Sequence, residues 1–272
     1  MPVPVSLLAL ATAVPPHLID QAQAAQRARA IFAPAFARFP QLTDVFVNAG
    51  IACRHSVRPM EWFEAPRDWT ERTKAYLDGA TELFARATRA ALERAALKPE
   101  DVDTVVTVSS TGIATPSLEA RVAGDLGLRP DCRRVPVFGL GCAGGVTGLA
   151  IASRLARAEP GTVVLMVAVE LCTLAFRLDR GRKVDVVATA LFGDGAAAVL
   201  LRAGTPGEGV AQIEHTAEHT WPGTLDIMGW SIDPIGFGVL LSRALPRFVE
   251  ERLAEPARRF VDGAGLAQAA PR

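Results

Sequence analysis

Residues 134–158 read Arg-Val-Pro-Val-Phe-Gly-Leu-Gly-Cys-Ala-Gly-Gly-Val-Thr-Gly-Leu-Ala-Ile-Ala-Ser-Arg-Leu-Ala-Arg-Ala. A short apolar run, a glycine-rich turn and an amphipathic stretch follow one another, which predicts a strand, a tight turn and a helix. The turn carries Cys142. A thiol placed there projects from the backbone, and the helix just behind it offers unpaired N–H groups and a partial positive charge to an anion. The glycines let the chain turn sharply and let a substrate come close to the backbone. The placement points to a nucleophile. Two other readings stay open. One is a small thiol packed in a core. The other is a dinucleotide loop, because Gly139-Leu-Gly-Cys-Ala-Gly144 fits G-x-G-x-x-G between a strand and a helix. Against that loop, more than a hundred residues precede it, whereas the fingerprint usually opens a domain's first βα unit. The downstream acids Glu159 and Glu170 stand at a turn and near a strand end.

Composition narrows the classes. The chain has 272 residues, 50% of them apolar, enough for one large α/β unit or two fused halves. Its 29 basic and 29 acidic side chains cancel, so charge gives no case for nucleic acid or an anionic membrane. Cys53, Cys132, Cys142 and Cys172 form no C-x-x-C pair, which argues against a zinc site or a disulfide framework and for a reducing cytoplasm. The N-terminal Val-Ser-Leu-Leu-Ala-Leu run lacks a basic leader and reads as a strand rather than a signal peptide. A soluble, cytoplasmic protein is expected.

Working outward, Asp20 is placed to cap a helix to about Arg29, and residues 41–69 read as irregular. A long helix is expected from Thr70 to Leu97, with Tyr76, Ala80, Leu83, Phe84, Ala87 and Ala91 on one stripe. Strands are expected near 103–109, 162–169, 196–201 and 210–215, and helices at 117–126, 144–158 and about 240–261. Thr205 to Gly209 reads as a linker. Strands alternating with helices through the first 200 residues predict a mostly parallel α/β sheet.

Gly-Cys-Ala-Gly-Gly at 141–145 and Ala-Leu-Phe-Gly-Asp-Gly-Ala-Ala-Ala at 190–198 stand at the spacing found in type III polyketide synthases. The segment Val169-Glu170-Leu-Cys-Thr-Leu-Ala-Phe-Arg177 also resembles this chalcone/stilbene synthase family. So do Ser109-Ser-Thr-Gly-Ile-Ala-Thr-Pro116, Leu126-Gly-Leu-Arg-Pro130 and Met228-Gly-Trp230. The resemblance runs over nearly the whole chain, and the composition suits a bacterial member. It implies a thiolase-like α/β fold, layered αβαβα, working as a homodimer on acyl-CoA and malonyl-CoA with no cofactor or metal. Cys142 would hold the starter acyl group as a thioester, and malonyl-CoA would extend it by decarboxylative Claisen condensation. Phe192 matches the phenylalanine between CoA tunnel and reaction cavity, where an apolar ring over a carboxylate favours loss of carbon dioxide. Glu170, Ser110, Thr111 and Cys172 fall near cavity positions; ending a strand near a turn fits Glu170 equally, and a strand-end hydroxyl such as Ser110 or Thr111 is usually only a turn or cap.

The chain also departs from the family's pattern. The family's histidine, in a His-Pro-Gly stretch, and its asparagine complete the site and supply the oxyanion hole. Neither can be assigned here: His17, His55, His215 and His219 all lie in other contexts, and the sequence stops at Arg272. Residues 1–204 therefore read as a complete nucleophile-bearing half and 205–272 as the start of an incomplete second half, with activity expected to be impaired by a truncated reading frame. The basic cluster for CoA phosphates would fall at residues 41–48, which read Gln-Leu-Thr-Asp-Val-Phe-Val-Asn. Arg54 and Arg58, with His55, are the substitutes close by. Two alternatives accompany the synthase reading: a non-catalytic homologue serving as a dimerising subunit, and another thiolase-fold condensing enzyme such as a ketoacyl-carrier-protein synthase.

Overall fold

A computed structural model of the chain describes residues 3–204 and 207–265. The first strand, β1 (Val5–Ala13), leads into β2 (His17–Asp20) and α1 (Gln21–Ile31). Asp20 caps α1 as expected, its carboxylate accepting from the N–H groups of Ala22 and Gln23. A short helix α2 (Ala33–Arg38) comes next, and the stretch expected to be irregular holds the short helix α3 (Val45–Asn48) and β3 (Cys53–Ser56), which pairs antiparallel with β2. Helix α4 (Trp69–Ala95) starts with a reciprocal capping box between Asp68 and Glu71. Strand β4 (Val102–Val108), helix α5 (Leu118–Leu126), β5 (Arg133–Val137), α6 (Gly144–Ala158) and β6 (Val163–Leu171) follow close to their predicted limits. Gly127 ends α5 in the left-handed conformation.

The remaining elements are α7 (Lys183–Leu191), β7 (Asp194–Ala203), β8 (Ala211–Ile213), the hairpin β9 (Met228–Asp233) and β10 (Gly236–Leu241), and helices α8 (Leu245–Arg252) and α9 (Ala254–Gly263). The single helix expected over 240–261 is corrected on two counts. Leu240 and Leu241 belong to the hairpin, and the rest divides in two. Pro246 and Pro256 each sit in the first turn of a helix, where a missing N–H is tolerated; one continuous helix would bury Pro256 in its middle.

Six strands form one sheet in the order β5-β4-β6-β7-β1-β8. β4 runs parallel to β5 and β6, while the β6–β7, β7–β1 and β1–β8 pairs are antiparallel. The expected mostly parallel sheet is therefore mixed. A strand apolar on both faces reads the same in either direction, so its sequence carries no sign of its polarity. Helix α4 lies on one face of the sheet through Ala80, Leu83, Phe84, Ala87 and Ala91, all buried against β1, β6 and β7. Helix α6 covers the other face, against Val106, Val108, Val164 and Met166. A third apolar cluster gathers α1, α2, α3 and α7 beside the sheet. Burying these faces is what stabilises the layers, at roughly 25 cal/mol per Å² of apolar surface.

Candidate active site

Parallel pairing brings the C-terminal ends of three strands to one edge of the sheet, with Val108 opposite both Val137 and Ala168. In α/β sheets that edge is where ligands bind. The chain leaves β4 into Ser109-Ser110-Thr111, leaves β5 into the Cys142 turn, and ends β6 with Glu170-Leu171 before Cys172. Antiparallel β7 starts at the same edge, Asp194 facing Leu171.

Cys142 sits in a single 3-10 turn, Gly141–Ala143, that runs directly into α6. Gly141 holds φ at +54°, which an L side chain rarely adopts. The Cys142 residue is exposed, so the buried-core reading does not hold. No side chain caps α6, which leaves the electropositive end of the helix facing the turn.

The turn is tied to the neighbouring strand ends. The Gly141 N–H donates to Ser110 Oγ at 3.1 Å. The Ser110 N–H donates in turn to both oxygens of Glu170, at 2.9 and 3.1 Å. Thr111 Oγ1 donates to Glu170 at 2.8 Å and accepts from the Leu171 N–H at 2.8 Å. Burial raises the Glu170 carboxyl above its ordinary range, against the opposing pull of these hydrogen bonds. Beneath them, Tyr76 donates to Ser109 Oγ at 2.8 Å, and its phenol, buried, is pushed up to about 12. Ser110 and Thr111 are buried within this network.

Beside it opens an apolar cleft, continuous with solvent. Its walls include Ala28 and Ile31 of α1, Met60, Phe176, Ala188 of α7, and Val239 of β10. Cys172 and Phe192 also line it; Cys142 does not. Burial raises the Cys172 thiol, and the charges of Glu170, Asp194 and Cys142 add to the rise, so Cys172 stands on the cleft wall as a neutral thiol. The Phe192 ring meets Trp230 edge-on at 6.3 Å between centroids.

The residues that hold this corner together carry no assigned role in the sequence reading. Asp233 accepts from Arg177 at 2.7 Å and from Arg180 at 2.5 Å, pinning the β9–β10 hairpin onto the segment after β6. The Asp-Pro pair at 233–234, just before Gly236, was the one turn signal that marked the hairpin. Asp194 is buried and accepts from the Val57 N–H at 2.9 Å and from the N–H and hydroxyl of Thr173 at 2.8 and 2.6 Å. Burial nevertheless pushes its carboxyl up to about 6.

Arg54 is corrected. Its guanidinium is turned inward, donating to Ala190 O at 2.9 Å and Phe192 O at 3.1 Å, and also to Thr189 O and Gln21 Oε1. A buried guanidinium bound to four acceptors has no face free for a phosphate. Arg58 is half-exposed and shares Asp78 with Lys74. His215 and His219 lie in an exposed irregular stretch, where His219 packs on Trp221 at 4.6 Å. Among the described residues, no group of three His, Cys, Asp or Glu side chains is placed to hold a metal, and no helix is long and apolar enough to cross a membrane.

Comparison with known proteins places this geometry. Residues 64–205 match the family described as chalcone and stilbene synthases, N-terminal domain. A 1,3,6,8-tetrahydroxynaphthalene synthase of Streptomyces peucetius subsp. caesius is 36% identical over 264 residues, covering 96% of this chain and 70% of that protein. Type III polyketide synthase A of Arabidopsis thaliana is 38% identical over 170 residues, covering 61% of this chain and 43% of that protein. The crystal structure of the 1,3,6,8-tetrahydroxynaphthalene synthase of Streptomyces coelicolor A3(2), a bacterial type III polyketide synthase, superposes with a TM-score of 0.91 at 28% identity. The match covers 98% of this chain and 76% of that one. The fold is thus the thiolase-like α/β fold of these enzymes, and the dinucleotide reading falls away. With its cysteine turn at the strand ends and a family match through residues 64–205, this chain belongs to the chalcone and stilbene synthases, the type III polyketide synthases.

Proposed function

We propose that the chain is an acyltransferase that loads an acyl group from a CoA thioester onto Cys142 and extends it with malonyl-CoA. The carrying observation is the exposed Cys142 on an uncapped helix N-terminus, braced through Ser110 and Glu170 and standing near an apolar cleft that Phe192 lines. The Cys142 thiolate attacks the acyl carbonyl, the carbonyl re-forms, and CoA leaves as a thiolate that takes up a proton. One thioester replaces another, so the step is nearly balanced in energy. Malonyl-CoA then loses carbon dioxide. The resulting enolate carbon attacks the Cys142-bound carbonyl, and the Cys142 thiolate is released.

Phe192 supplies an apolar face that disfavours the malonyl carboxylate relative to neutral carbon dioxide. Ser110, Thr111 and Glu170 act by fixing the cysteine turn, and Cys172 lines the path to the cleft. Arg58 remains the basic residue assigned to CoA phosphate. Residues 1–204 form the half that carries the nucleophile, with 205–272 belonging to the second half. The family's working form, a homodimer in the cytoplasm, is the form proposed here.

Intact-protein mass spectrometry tests the assignment. Incubation with acyl-CoA is expected to add one acyl mass, localised to Cys142 by peptide mapping and absent from Cys142→Ala. An acyl mass that persists in Cys142→Ala would refute it.

A further inference from the structure

Tyr76 is the only tyrosine of the chain, and it stands on the sheet-facing stripe of α4 with Ala80, Leu83, Phe84 and Ala87. Phenylalanine would fill the same space without a hydroxyl to bury. A buried hydroxyl is costly unless it is bonded, so its partner is informative. That partner is Ser109 Oγ, 2.8 Å away, where the chain leaves β4. Burial pushes the phenol up to about 12, so it stays a neutral donor below that pH. The other end of the same segment rests on the ring itself. A Cβ on Gly112 would stand 2.2 Å from Tyr76 Cγ and 2.4 Å from both Cδ atoms. Gly112 does not hold a left-handed φ, so what calls for glycine there is room for the ring.

One buried side chain therefore holds both ends of the segment 109–112. The two residues between those ends are the ones that brace the cysteine turn. Ser110 Oγ accepts from the Gly141 N–H, while the Ser110 N–H and the Thr111 hydroxyl hold Glu170. Resting on the reading of Cys142 as the acyl-bearing residue, we propose that Tyr76 is a positioning residue for acyl transfer to Cys142. By fixing Ser109 and Gly112 it sets where Ser110 meets the turn just before the cysteine. At 2% exposure Tyr76 offers a substrate no surface, so it acts through the segment alone. A displacement of about 1 Å at a reacting group slows a reaction by up to about a hundredfold, so a small freedom at Ser110 is felt at Cys142.

The experiment follows loading of Cys142 by acetyl- and octanoyl-CoA over a concentration series, read by intact mass against time. It separates the maximal rate, the half-saturating concentration and the fraction of protein that loads. Tyr76→Phe keeps the ring and removes the hydroxyl. Its maximal rate is expected to fall about tenfold, with half-saturation unchanged within about twofold. Gly112→Ala disturbs the other end of the segment and is expected to act in the same way, so the test does not hang on one variant folding. Leu83→Ala, about two turns further along α4, is the control for stability lost without positioning. It is expected to lower the urea midpoint and the loadable fraction while leaving the rate within about twofold. Combining Tyr76→Phe with Ser109→Ala removes both partners and leaves no buried hydroxyl bare, so stability should recover while the rate stays slow. A rate that recovers with stability in the double variant would make the pair a structural hydrogen bond and overturn the proposal. So would a parental rate in Tyr76→Phe, or an equal fall in Leu83→Ala; each of these overturns this inference alone. A parent protein that neither thioester loads would overturn the Cys142 reading and this inference with it.

Discussion

Arg54→Met separates a structural arginine from a substrate-binding one. The guanidinium donates to three carbonyls where α7 ends and Phe192 begins, and to the side chain of Gln21. Methionine keeps the apolar stem and removes every donor. Ala190 O retains a second donor, Gln21 Nε2 at 3.1 Å, so the acceptors left bare are Thr189 O, Phe192 O and Gln21 Oε1. A buried acceptor stripped of its partner costs about 1–3 kcal/mol. Removing a cation from a partly buried helix C-terminus costs up to about 2 kcal/mol more. The expected loss is therefore about 4 kcal/mol, a large part of the roughly 5–15 kcal/mol that holds a protein folded.

Urea denaturation followed by tryptophan fluorescence measures the loss, and calorimetric titration with CoA measures binding on the same protein. The structure predicts the stability loss together with CoA affinity unchanged within about twofold. Arg54→Lys should recover part of the stability, because one ammonium cannot span acceptors arranged for a planar fork. A phosphate-binding arginine would show the reverse pattern. Stability unchanged within about 1 kcal/mol with CoA affinity lowered tenfold would refute the reasoning.

Two further perturbations probe the turn and the hairpin. Glu170→Ala strands the Ser110 N–H and the Thr111 hydroxyl and should cost about 3 kcal/mol, while Glu170→Gln, which keeps one acceptor oxygen, should cost about 1 kcal/mol; urea titration decides. Because burial raises the folded-state pKa of Glu170, its contribution is fully present below the unfolded value and is lost as pH rises through the folded one. The stability of Glu170→Gln relative to the parent should thus improve from pH 4 to pH 7, and a gap that widens would contradict the sign. Asp233→Asn should loosen the hairpin over Phe192 and raise alkylation of Cys172 by about fivefold while leaving the distant, half-buried Cys132 unchanged; a parallel rise at Cys132 would mean general unfolding instead.

How much was readable without coordinates depended on how local the cause was. Asp20 as a cap and the apolar stripe of α4 are each decided within a few residues, and each stands where the sequence put it. The Cys142 turn belongs to the same class. The direction of β7 and its place between β6 and β1 are decided by partners far along the chain, and an apolar strand does not announce them. Arg54 shows the same limit for a side chain. Nothing in Cys-Arg-His-Ser reveals that β2–β3 pairing, with Ile19 opposite Arg54, turns the guanidinium towards carbonyls more than a hundred residues away. Helix α7 escaped notice because its apolar residues run into those of β7 with only Gly193 between Phe192 and the strand. The hairpin's role was hidden because Asp233 matters only once Arg177 and Arg180 are beside it.

The glycines around Cys142 serve two different ends, which their spacing in the sequence blends together. In α6, Gly144, Gly148, Ala152 and Ala156 recur every fourth residue, so they share the face laid on the sheet. A Cβ on Gly148 would stand 2.4 Å from the Met166 terminal methyl and 2.7 Å from a Val108 methyl, and one on Gly144 2.6 Å from Val108. These two glycines let the helix N-terminus press against the end of β4, the strand that continues into Ser110 and the hydrogen bond to Gly141. Gly148→Ala should accordingly cost about 1–3 kcal/mol. Gly145 is different: it is exposed, and an added Cβ meets nothing within 4 Å. Gly145→Ala should therefore gain up to about 1 kcal/mol through helix propensity. If stability rises as expected while loading of Cys142 falls tenfold, the absent side chain at 145 is there for the substrate's approach. If both stability and loading are kept, the glycine run is explained by the turn and by helix–sheet packing alone.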